Sequence, residues 1–111
     1  MSKLTDAQDL FAKHFVGLID HAHTLGLTVQ LGEVFRPPEM CAIYAARGTG
    51  IKYSLHGMRL AADVLIRVNG VLQEDSEAYR PLGEFWEALG PKCRWGGRFP
   101  RPDGNHFELL P

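Results

Sequence analysis

The sequence predicts an α+β fold, a small antiparallel sheet with two to three helices packed on it. Three observations carry this expectation. Apolar residues near the N-terminus recur at helical spacing, an Asn-Gly hairpin signal stands mid-chain, and helix-like and strand-like segments fall in separate runs. At 111 residues the chain amounts to a single domain, long enough to bury a core.

The first helix is expected to open at Thr5, whose hydroxyl and the Gln8 amide form a capping box. Leu10, Phe11, Phe15, Leu18, Ile19, Ala22 and Leu25 follow mostly three and four apart and make one apolar stripe, and Gly26 supplies the stop. Residues 27–35, LTVQLGEVF, alternate and are rich in β-formers, so they predict a strand with a weak point at Gly32. Pro38 suits the first turn of a second helix, with Met40, Cys41, Ile43 and Tyr44 on its apolar side and Gly48 and Gly50 beyond its end. Residues 48–60 read as loop. A hairpin is expected with strands at 63–68 and 71–73 and a type I′ turn at Asn69-Gly70. A third helix over residues 76–89 would turn Tyr79, Leu82, Phe85, Trp86 and Leu89 inward, with Pro81 and Gly83 weakening its first half. Residues 90–105 are turn-rich, and HFELL, from His106, is a short closing strand.

Composition narrows the function. Hydrophobic residues at 45% and aromatics at 10% fit a globular chain. A net charge of −1 gives no electrostatic footprint for nucleic acid or an anionic membrane. Lys3, Asp6, Asp9, Lys13 and Asp20 interrupt the N-terminal segment, which argues against a signal peptide. No apolar run approaches the ~20 residues of a membrane helix. Synthesis in a cytoplasm, no stable membrane association and a monomeric state are therefore expected. Cys41 and Cys93 match no redox or zinc-finger spacing. Lys92 and Arg94 would favour a Cys93 thiolate, but a site built on Cys93 would leave Asp63 and Asp103 unused.

Five histidines are present. His21 and His23, two apart on a helix, point to different faces. His14 and His21 share a face but lie roughly 10 Å apart by helix rise. These read as solvated or half-buried helix residues. His56, Asp63 and His106 differ. An offset of seven on one straight strand would put His56 and Asp63 on opposite faces. They can converge only if a turn intervenes, and Gly57 is the expected place for it. A His, Asp, His set with a fourth position open to water is the pattern of a catalytic zinc site. The plain alternative is a set of hydrogen-bonded structural residues.

The stretch SLHGMRLAAD, from Ser54 to Asp63, resembles the Ser-x-His-(x6)-Asp signature of the zinc D-Ala-D-Ala carboxypeptidases and their phage relatives, the L-alanyl-D-glutamate endopeptidase endolysins. WGGRFPRPDGNHFE, from Trp95 to Glu108, resembles the second signature of that family, and FRPPEMCAIYAARGTG its upstream arginine segment. The matches stand in family order over about two thirds of the chain. The resemblance implies one zinc per chain in a cleft of the sheet, held by His56, Asp63 and His106. It implies Asp103 as general base, Arg36 as the arginine that steadies the oxyanion, and Ser54 as a cleft residue that hydrogen-bonds the peptide. Without it, Arg36 reads as a surface arginine and Ser54 as a turn residue. Two departures stand out. Arg59 occupies the place where the family usually has Gly, and Asp103 stands where many relatives have Glu. Neither removes a metal ligand. Trp95 is expected in the core, packing the loop that carries Asp103, and Glu108 reads as a strand residue rather than a partner of His106.

The implied chemistry is metal-assisted amide hydrolysis. Zinc lowers the pKa of its water from about 15.7 to about 7, a carboxylate moves the proton, and an arginine offsets the oxyanion. The implied substrate is the stem peptide of peptidoglycan. The expected bond is L-Ala–D-Glu, as in an endolysin that acts on the cell wall; the alternative is a D-Ala-D-Ala carboxy- or dipeptidase. Relatives of this fold that hold zinc only as binding modules form a different class, and the intact Asp103 argues against it.

Overall fold

The computed structural model describes residues 2–51 and 53–111, so Lys52, inside the expected loop, lies outside the described residues. Helix α1 spans Lys3–Thr24. Its start is earlier than the sequence suggested. Ser2, not Thr5, is the N-cap, and its Oγ accepts the Thr5 N–H at 3.1 Å. Gln8 forms no capping box; its amide instead donates to the Met58 carbonyl at 2.8 Å. A Ser three residues upstream offers the same hydroxyl and captures the free N–H first. The expected end holds. Gly26 sits at φ 78°, its N–H bonds the His23 carbonyl, and the Leu27 N–H bonds Ala22, a Schellman ending. Phe11, Leu18 and Ala22 are buried, whereas Leu10 and Leu25, at the borders of the stripe, stay exposed.

The strands are β1 (Thr28–Leu31), β2 (Ala61–Val68), β3 (Val71–Leu72), β4 (Cys93–Trp95) and β5 (His106–Leu109). They form one antiparallel sheet of order β1-β2-β5-β4, with β3 also on β2. β1 is shorter than the expected strand because pairing becomes irregular at Gly32. The Gly32 N–H donates to the Asp63 carbonyl, but the Asp63 N–H donates to Glu33, both at 2.8 Å. Two residues thus face one, a bulge at the predicted weak point. The Asn69-Gly70 turn has both residues at positive φ, 50° and 78°, as type I′ requires. β2 begins two residues before the expected strand, and β4 lies in a segment read as turns. Three residues with Cys93 and Trp95 inward and Arg94 outward are too short a run for periodicity to reveal.

Helix α2 spans Pro38–Ala46 and is followed by Gly48 at φ 73°. Of its expected apolar side only Cys41 is fully buried; Ile43 is exposed. The third expected helix is a 3-10 turn, Ser76–Tyr79, capped by Asp75, leading into α3 (Arg80–Ala88). Pro81 falls in the first turn of α3, where its missing N–H costs nothing.

Helices α1 and α3 pack on one face of the sheet. Strand alternation assigns the rest. Ala62, Val64 and Ile66 of β2 and Phe107 and Leu109 of β5 point into this core. Asp63, His106, Glu108 and Arg94 are the alternate residues and share the opposite face. Trp86 packs edge-on to Phe11 and Phe107 and donates its indole N–H to the Glu108 carbonyl at 2.9 Å. Each large apolar side chain buried this way contributes about 1.5–3 kcal/mol.

Gly83 lets α3 lie against the Trp95 ring; a Cβ there would overlap the indole atoms. Gly83→Ala is expected to destabilise the chain by about 1–3 kcal/mol, the cost of overpacking exceeding the gain in helix propensity. Urea unfolding should show a lower midpoint at unchanged slope.

Candidate active site

Asp63 and His106 are directly opposed across β2 and β5. His56 reaches them from a 3-10 turn, Leu55–Met58. Ser54 caps this turn, its Oγ accepting the His56 N–H at 3.2 Å. The reversal that the sequence placed at Gly57 falls at Arg59, which adopts the left-handed conformation at φ 58°. Arg59 takes that conformation without being a glycine, while its guanidinium stacks 4.0 Å from the Phe35 ring centre. Gly57 serves a different need: a Cβ there would lie 3.2 Å from Cys41 Sγ, against α2.

Asp63 Oδ1 stands 3.3 Å from His56 Nε2 and 3.2 Å from His106 Nδ1. One ligand atom from each of the three residues lies within 4.8 Å of the others. Glu108 is a partner of His106 after all. Its Oε1 accepts from His106 Nε2 at 2.7 Å, and Arg94 holds its Oε2 at 2.6 Å. Residues two apart on a strand share a face, so the short spacing that suggested an ordinary strand residue is what brings the pair together.

The donor set fits a cation. With the Nε2 proton of His106 committed to Glu108, Nδ1 presents a lone pair to Asp63 Oδ1. Two acceptors facing each other need a positive charge between them. A second proton on His106 can meet this need, and the titration of the group shows it. Burial would raise the Asp63 carboxyl, but bonds to His106 and His56 outweigh it and hold it at about 2. Burial would lower His106, but bonds to Asp63 and Glu108 carry it up to about 9. Glu108 follows Asp63: burial raises it, and His106 and Arg94 bring it below its ordinary value. A zinc ion with nitrogen and oxygen ligands would supply the same positive charge in place of that proton.

A cleft of about 290 Å³ opens over this group, and Arg36, Ser54, His56, Asp63, Asp103 and His106 all line it. The structure therefore brings together every site residue that the sequence singled out. Asp103 lies on the exposed lip, its carbonyl accepting the His106 N–H at 3.1 Å. Burial, then the nearby charge of Asp63, raises its carboxyl above the ordinary range. Arg36 is held by Glu33 Oε1, 2.8 Å from Nε and 2.6 Å from Nη2, and lies over the Tyr44 ring. Glu33 was not anticipated from the sequence, since its approach to His56 joins distant segments and only its place beside Gly32 hinted at an irregularity.

The remaining candidates lie elsewhere. His21 stacks on Phe85 at 4.2 Å, His14 meets Trp86 edge-on, and His23 is exposed. Cys93 is buried, and burial pushes its thiol up, opposite to the thiolate expected from Lys92 and Arg94. Arg94 instead turns to Glu108.

A family model described as D-alanyl-D-alanine carboxypeptidase matches residues 47–109, more than half of the chain, including Ser54, His56, Asp63, Asp103 and His106. The chain belongs to this family of peptidases. Arg36 lies outside the matched segment of the D-alanyl-D-alanine carboxypeptidase model. Among solved structures, the crystal structure of Serratia marcescens L-Ala D-Glu endopeptidase ChiX is similar, with a TM-score of 0.70 and 22% identity over 86% of this chain and 77% of that one. At that identity the likeness speaks for the fold. No curated protein sequence matches. Among the described residues, no helix is long and apolar enough to cross a membrane.

Proposed function

We propose that this carboxypeptidase-family chain is a zinc peptidase that hydrolyses an amide bond of the peptidoglycan stem peptide, acting as an endolysin-type L-alanyl-D-glutamate endopeptidase. The observation that carries this reading is the convergence of His56, Asp63 and His106 in one cleft with Asp103 at its lip. The choice of bond draws on the likeness in fold to the Serratia endopeptidase. The family description favours the second reading, a D-alanyl-D-alanine carboxypeptidase. The 111 residues act as one catalytic domain in this proposal, and as a monomer.

His56, Asp63 and His106 would hold the metal. Bound there, zinc would make water a nucleophile near neutral pH and polarise the scissile carbonyl. Asp103, at the lip of the cleft, accepts the proton that water loses and returns it to the leaving amine. Its raised proton affinity suits a group that must take a proton and then release it. Arg36 offsets the negative charge that develops on the carbonyl oxygen, an effect that grows as water leaves the cleft. Ser54 lines the same wall and orients the peptide.

Digestion of purified murein, with and without a chelator, tests the function. Mass spectrometry of the fragments should show new D-Glu amino termini; release of D-Ala alone would favour the second reading, and chelator-resistant cleavage would count against both. Metal analysis should give close to one zinc per chain, lost in His56→Ala and His106→Ala and retained in His21→Ala and His23→Ala. Full occupancy in the first pair would remove those residues from the site.

Arg36→Ala should lower turnover by about 10²–10³-fold with a smaller effect on KM. Wild-type turnover would return Arg36 to a structural role. Asp103→Asn should keep zinc and lose about 10²–10⁴-fold in rate, since the amide preserves shape but cannot take the proton. Asp103→Glu should retain partial activity. Loss of zinc in Asp103→Asn would instead make Asp103 a ligand.

A further inference from the structure

The two histidines of the site are treated unequally. His106 has its second nitrogen satisfied by Glu108. His56 Nδ1 is buried and has no hydrogen-bond partner. The carboxylate near it is Glu33, whose Oε1 lies 3.7 Å away. That distance is too long for a hydrogen bond, and a shift of under about 1 Å would close it. We propose that Glu33 is a positioning residue that accepts the Nδ1–H of His56 when the metal is bound, while its hold on Arg36 fixes the arginine to the same carboxylate. The inference rests on the zinc reading above.

The chemistry is that of a metal-bound imidazole. If Nε2 directs its lone pair to the cation, the proton must sit on Nδ1. A buried N–H without an acceptor carries a desolvation penalty, so an acceptor in reach favours the metal-bound tautomer and ring orientation. Glu33 is also placed by the backbone that builds the site. Its carbonyl accepts the Asp63 N–H at 2.8 Å across the bulge, and the Arg36 N–H donates to the His56 carbonyl at 3.2 Å. The short segment from Glu33 to Arg36 is thus tied to two of the three ligand residues. The bulge at Gly32 turns Glu33 toward His56, and Gly32 itself can carry no side chain easily, because a Cβ would sit 3.1 Å from that of Asp63. Glu33 therefore does for His56 what Glu108 does for His106, and Arg36 answers Arg94 as the outer cation of each pair.

Zinc affinity, measured by competition with a chromophoric chelator, separates this role from simple support of Arg36. Glu33→Ala should weaken binding by about 10–100-fold, the usual cost of losing such a partner. Glu33→Gln, which keeps an oxygen acceptor, should fall between that and wild type. Arg36→Ala should leave affinity unchanged or tighter, since it frees Glu33. In the zinc-loaded wild type, nitrogen-15 NMR of labelled histidine should show a slowly exchanging Nδ1–H on His56, and Glu33→Ala should speed its exchange. Wild-type affinity in Glu33→Ala, or a wild-type His56 without a protected Nδ1–H, would overturn the proposal, and the second readout decides even if the alanine variant fails to fold. An active, zinc-loaded wild type beside an unaffected Glu33→Ala would sink this inference alone; a wild type that binds no zinc would sink the zinc reading with it.

Discussion

The pairing of β2 with β5 is the constraint on which both the core and the site depend. Side chains alternate along a strand with a period of two. The register that sets Ala62 opposite Phe107 in the core also sets Asp63 opposite His106 on the open face. A slip of one residue would exchange the faces, burying the carboxylate and exposing Phe107. The apolar alternation of these strands therefore fixes the geometry of the site. The packed core and the convergence of the polar groups thus depend on the same register.

The open face has its own electrostatic logic. Buried charges persist only when partnered. Here Arg94, Glu108, His106, Asp63 and His56 form a run in which a cationic or donor-bearing group alternates with a carboxylate. The run ends at Glu33 and Arg36. Its outer members are satisfied by short ion pairs, each arginine placing two nitrogens on one carboxylate oxygen. Its centre is satisfied only by a second proton on His106 or by a cation, because the histidine nitrogens and the Asp63 oxygen converge as acceptors once each ring has one proton placed outward. The polar network is thus complete at its edges and electron-rich in the middle, the arrangement a cation site needs.

Much of this was legible in the sequence, and what was legible is local. The stripe of α1, Gly26, Asn69-Gly70 and Pro38 each announce their element through the few residues around them. The separation of helical and strand segments gave the α+β class, and two short signatures with an upstream arginine segment brought together six residues that the fold places around one cleft. The rest is tertiary. Arg94 meets Glu108 across two strands, and Glu33 meets His56 across a bulge, which no spacing rule reports. β4 is three residues long and is a strand only because β5 lies beside it. The sign of the Cys93 shift was misread for the same reason: its charged neighbours in sequence point away from it, and burial decides. At Arg59 the missing glycine was visible, but its consequence, a left-handed arginine stacked on Phe35, depends on a ring from a distant segment.

The two faces of the sheet also divide the labour of positioning Asp103. On the open face that residue is on an exposed lip, in a segment with little secondary structure, where a general base would be poorly fixed. Its support comes through the loop from the packed side. Trp95, buried between Gly83 of α3 and Gly97, donates its indole N–H to the Gly104 carbonyl at 2.7 Å, and Ser76 accepts the Gly104 N–H at 2.9 Å. Gly104 is thereby fixed from both sides, one residue after Asp103, and it tolerates no Cβ against Ser76. Gly96 closes the other end, its carbonyl accepting the Asp103 N–H at 2.9 Å. The glycines of this loop are sites of close backbone approach rather than of freedom. They let a core tryptophan and the 3-10 turn before α3 reach the backbone beside Asp103, so a residue on the exposed lip of the cleft inherits the rigidity of the hydrophobic core.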